Sequence, residues 1–183
     1  MSRYRLVIAI GIFNCQFDLA LGQAGSGVPQ SAHIRTVSSD TISDLALAIA
    51  DPKQPVIYYN PRLMARFGPE ISAFVLAHER AHIELGHARP QVGWAGDALE
   101  HLLQSWELEA DCRAAARLAR ERPSALLAAI SFFEHKGLER VDREHPTGSA
   151  RSAQLSACGR MLNGDLRSAN EGPRTSATTS QFR

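Results

Sequence analysis

Two histidines one helical turn apart, in His78-Glu79-Arg80-Ala81-His82, constrain this chain more than any other feature. Ile71, Phe74, Val75, Ile83 and Leu85 recur around them at helical spacing, which predicts one long helix ending near Gly86. Residues i and i+4 share a helix face, so both imidazoles can meet a single metal ion. Glu79, next to the first histidine, can reach the open side of such an ion without ligating it. Two histidines alone hold zinc poorly, because a catalytic site uses three protein ligands and keeps one position open. A third ligand must therefore come to this helix from elsewhere in the chain.

Three places can supply it. His87 lies on the same helix but at least a turn beyond His82, and the spacing of Gly86 and His87 does not match a metzincin. His101 stands near the start of a second long helix with no supporting pattern. Trp106-Glu107-Leu108-Glu109-Ala110-Asp111 is better suited, because Glu107 and Asp111 again share one face. Glu107 can ligate the metal while Asp111 accepts a hydrogen bond from a ligand histidine and fixes its tautomer. Glu109 points about 200° around the helix from Glu107, so it is not an equal rival.

The rest of the chain bounds what surrounds this site. Its 183 residues, 44% hydrophobic and 21% charged with a net charge of +1, suit one globular domain. No basic stripe with interleaved aromatics appears, which argues against a nucleic-acid partner. Residues 1–24 read as a signal peptide: Arg3 and Arg5, then the apolar run Leu6 to Phe13, then small residues at Ala20 to Gly22. That run is far shorter than the roughly 20 residues a membrane span requires, so no stable span is expected after signal removal. The location expected is periplasmic or secreted. Removing Cys15 with the signal leaves Cys112 and Cys158, either as a disulfide in an oxidising compartment or as two buried thiols.

Gly25 to Ser31 reads as a linker, and His33 to Val37 as a short strand. Ser43 to Ala50 reads as a short helix, and Val56 to Tyr59 as a strand stopped by Asn60-Pro61. Pro61 opens a helix carrying Leu63, Met64 and Phe67. Later helices are expected over Asp97 to Arg120, Ser124 to His135 and Ser149 to Leu162. A domain over 25–162 results, mostly helical α+β with a small sheet and an active-site helix. Residues 163–183, rich in Ser, Thr, Gly and Asn, read as a disordered tail.

HExxH followed by ExxxD on a later helix resembles the gluzincins. More narrowly, His78 to His87 as HExxHxxxxH and Glu107 to Asp111 as ExEAD resemble metallopeptidase family 48, the HtpX and BepA relatives. His145-Pro146 with Arg151 is similar to that family's histidine-proline segment and following arginine, and the resemblance covers about Val56 to Leu155. It implies a zincin-like domain holding one Zn2+ through His78, His82 and Glu107, with Glu79 as catalytic base. It also implies that His145 stands near the zinc and stabilises the oxyanion. The membrane helices and helical repeats of some relatives have no counterpart here, so substrate range does not carry over.

The activity expected is zinc-dependent endopeptidase action on protein or peptide substrates, within envelope protein quality control. Val56 to Tyr59 is read as a sheet edge that aligns an extended substrate by backbone pairing. Two other readings compete. One is a zinc-bound chaperone or adaptor with little turnover. The other is a cytosolic regulatory peptidase of the ImmA type, which requires the N-terminal segment to stay attached.

Overall fold

The strand over Val56–Tyr59 becomes the middle of the only sheet among the described residues, not an edge. The structure, a computed structural model, describes residues 33–51, 53–87 and 93–170, with side chains described as far as 160. The signal and linker readings, Cys15 and residues 171–183 lie outside it. Three strands form the sheet: β1 (Arg35–Ser38), β2 (Ala46–Ile49) and β3 (Val56–Tyr59), in the order β1-β3-β2. β3 pairs with β1 in parallel and with β2 antiparallel, so both its backbone edges are taken. That corrects the substrate-edge expectation, and the open edge beside the helices belongs to β2.

β2 overturns a second expectation. Ser43 to Ala50 reads as a short helix, yet Ala46–Ile49 is a strand in register with β3, Ala46 facing Tyr59 and Ile49 facing Val56. Leu, Ala and Ile at successive positions satisfy a period of two as well as one of 3.6, so pattern alone does not discriminate. Pairing with β3 decides the matter, and it buries the small side chains of Ala46 and Ala48.

Five helices follow: α1 (Pro61–Met64), α2 (Gly68–Leu85), α3 (Gly96–Glu121), α4 (Pro123–Lys136) and α5 (Gly148–Asn170). Asn60 caps α1, its Oδ1 accepting from the amides of Arg62 and Leu63 at 3.0 and 3.2 Å. Its Nδ2 donates to the Ile42 carbonyl at 2.9 Å and so ties the helix to the β2 approach. Phe67 falls in the turn after α1, not within it as the sequence predicts. α2 ends where Gly86 turns left-handed at φ 76°, a conformation that glycine enters without a Cβ penalty. α5 runs to Asn170, past the expected end at Leu162 and into the segment read as tail. No helix among the described residues is long and apolar enough to cross a membrane.

α2 lies between the sheet and the other helices. Ile57 from the sheet, Phe74, Val75 and Ile83 from α2, Leu118 from α3, Phe133 from α4 and Leu155 from α5 belong to one buried core. Of the two states open to the cysteines, the structure has the bridge, Cys112 to Cys158, joining α3 to α5. The result is an α+β domain, mostly helical with a small sheet, and its central helix carries the two histidines.

Candidate metal centre

His78 and His82 project from one face of α2 toward α3, with their Nε2 atoms 3.0 Å apart. Glu107 meets them from α3, Oε2 at 3.3 Å from His78 Nε2 and Oε1 at 3.2 Å from His82 Nε2. These three side chains each offer a ligand atom, all within 4.8 Å of one another, and all three are buried. His101, the rejected alternative, is exposed.

Around them stands a shell of fixed partners. Asp111, one turn beyond Glu107, accepts from Nδ1 of His78 at 3.0 Å. Arg151 of α5 donates to both Asp111 oxygens, at 2.7 and 2.6 Å, while its guanidinium lies 4.2 Å from the Phe133 ring centre. Arg151 is therefore a buried structural partner of the centre and not a surface charge. Glu79 is 1% exposed, and the Ala48 amide of β2 donates to its carboxylate.

His145 enters from the loop between α4 and α5. Its Nε2 lies 3.8 Å from Glu107 Oε2, while Asp142 Oδ1 accepts from its Nδ1 at 2.7 Å and from its amide at 3.1 Å. Asp142 was not singled out from sequence, although Asp142-Arg143-Glu144-His145 carries a readable signal. An aspartate that accepts from amides two and three residues on forms a compact turn, and here it also grips the histidine.

Three buried polar atoms find no hydrogen-bond partner among the described residues: Glu79 Oε1, Glu107 Oε2 and His145 Nε2. Orphaned buried groups of this kind are rare, and each calls for a physical explanation such as a catalytic role or a bound ion. All three belong to residues gathered at the His78–His82–Glu107 group. Two imidazole lone pairs and a carboxylate converging out of water suit a divalent cation, so the residues fit a metal ion.

Electrostatics agree with that crowding. Burial pushes the Glu79 carboxyl up and Glu107 adds to the effect, leaving it at about 7 despite the opposing His78 and Arg151. Burial alone would lower His78, but Glu107 and Asp111 outweigh it and raise the ring to about 9. His82 is held below its ordinary value, chiefly by burial. Burial also opposes charge on Glu107, yet His78, His82 and Arg151 keep it ionised, well below the usual carboxylate range.

Comparison with family models, with curated proteins and with solved structures returned no match.

Proposed function

We propose that this chain is a zinc-dependent endopeptidase of the gluzincin kind, similar to metallopeptidase family 48, acting on protein or peptide substrates after export. The observation that carries the reading is the convergence of His78, His82 and Glu107 with an unpartnered Glu79 oxygen in the same buried cluster. Two imidazoles and one carboxylate form a donor set that suits catalytic zinc. Zinc held by His78, His82 and Glu107 would supply a Lewis acid and would lower the pKa of a bound water toward ~7.

The chain's own residues do the rest. Glu79 takes a proton from the attacking water and returns it to the leaving amine, a task its unpartnered, buried Oε1 is free to perform. Asp142 accepts from His145 Nδ1, which leaves Nε2 as the atom aimed at the centre, beside the place where the oxyanion develops. The outer edge of β2 pairs with an extended substrate, and the Ala48 amide ties that strand to the catalytic carboxylate.

Glu79→Gln tests the reading directly. The variant should retain zinc and lose cleavage of a generic substrate such as casein, whereas His82→Ala and Glu107→Ala should lose the metal too. A Glu79→Gln protein that cleaves as well as wild type refutes the base assignment. The burial of Glu79, 1% exposed, favours one second reading, a zinc-bound adaptor with little turnover. Metal-loaded wild type that binds unfolded protein without cutting it would support that reading instead.

A further inference from the structure

His87 lies just beyond the Gly86 turn at the end of α2, and the residue is 4% exposed. Three contacts hold it. Its Nδ1 lies 3.3 Å from Nδ1 of His82, and its Nε2 lies 3.2 Å from Oε2 of Glu109. Its face stacks on Trp106, ring centres 5.0 Å apart and planes 2° from parallel.

One distribution of protons satisfies this chain of contacts. His82 turns Nε2 toward His78 and Glu107, so ligation requires a bare lone pair there and places the ring proton on Nδ1. That Nδ1–H donates to Nδ1 of His87, which must then be unprotonated. His87 consequently carries its proton on Nε2 and donates it to Glu109. Trp106 and Glu109 flank Glu107 on α3, so the helix that supplies the third ligand also supplies the seat for His87.

We propose that His87 is a positioning residue: it holds His82 in the Nδ1–H tautomer and aims its Nε2 at the metal, with Trp106 and Glu109 fixing its own ring. The inference rests on the reading of His78, His82 and Glu107 as metal ligands. It gives His82 the outer partner that Asp111 provides for His78. Partners of this kind are worth roughly ten- to a hundredfold in metal affinity.

The test is zinc affinity of the full chain, measured by competition with a chromophoric chelator, beside the d–d absorption of the Co2+-loaded protein. His87→Phe keeps the stack on Trp106 but has no nitrogen. His87→Gln loses the stack but offers an amide oxygen to His82 and an amide N–H to Glu109. Positioning predicts that His87→Phe weakens zinc roughly ten- to a hundredfold and changes the cobalt spectrum, while His87→Gln stays within about threefold of wild type. A role in packing alone predicts the reverse order, and that order overturns the inference, as does a His87→Phe protein that binds like wild type. Should His87→Phe fail to fold, Glu109→Ala reads the same chain from an exposed position: several-fold weaker zinc supports the inference and unchanged zinc overturns it. Wild type that takes up neither metal overturns the metal reading itself, and the inference with it.

Discussion

Arg151 grips Asp111 through two short hydrogen bonds, 2.6 and 2.7 Å, and Asp111 hands the restraint on to Nδ1 of His78. An arginine on the last helix thereby orients a histidine on the second. Both members of the pair are buried, at 2% and 0% side-chain exposure. Breaking such a pair from one side strands the other charge and costs about 3–5 kcal/mol. Arg151→Met is therefore expected to lower unfolding free energy by about that amount in denaturant titrations. Asp111→Asn, which keeps the shape, is expected to weaken metal binding by roughly ten- to a hundredfold.

The Cys112–Cys158 bridge closes a loop of 46 residues between the helices that carry Glu107 and Arg151. In the chain-entropy account a loop of that length contributes about 4 kcal/mol by restricting the unfolded chain. The double variant Cys112→Ser, Cys158→Ser should shift the denaturation midpoint down accordingly. Reductant should move wild type to the same midpoint and leave the variant where it is.

Glu84 joins α2 to α3 by accepting from Arg80, Arg113 and Arg117 at 3.0, 3.2 and 2.6 Å. Partial burial pushes its carboxyl up, but the three guanidinium groups outweigh this and hold it below the ordinary 4.5. A depressed carboxyl contributes stability above its ordinary value and loses it as pH falls through the folded one. Glu84→Gln should thus be less stable than wild type at pH 7 by about 1 kcal/mol, a modest figure because the guanidinium groups are open to solvent. The gap should close below pH 4.5, as followed by denaturation across a pH series.

His78 predicts the pH dependence of metal uptake. Its ring, raised from 6.5 to about 9, holds a proton at neutral pH that a metal must displace. In the metal-free protein that raised value contributes stability below 6.5 which is lost as pH rises through about 9. Metal affinity should therefore climb roughly tenfold per unit between pH 7 and 9, with one proton released per ion from this group. Calorimetry in buffers of different ionisation enthalpy measures that release, and a flat profile contradicts it.

Local periodicity made half of the candidate centre legible. A spacing of four residues on a helix fixes a face whatever the surroundings, so His78 with His82, and Glu107 with Asp111, could be paired from the chain alone. Glycine and proline punctuation likewise located α2, α3 and α4 to within a residue or two. Only tertiary structure decided the rest, because the forces responsible act between segments distant in sequence. Backbone pairing with β3 made a strand of Ala46–Ile49, within the expected helix Ser43 to Ala50, and placed β3 at the centre of the sheet. The packing of α5 on α3 set Arg151 on Asp111 and Cys158 against Cys112. The Asp142 turn that holds His145 is local, but its approach to Glu107, like that of His87 to Trp106, was set by how loop and helix pack together. Helix faces follow from a period the backbone imposes on itself; which faces meet depends on burying apolar surface and pairing polar groups across the whole chain.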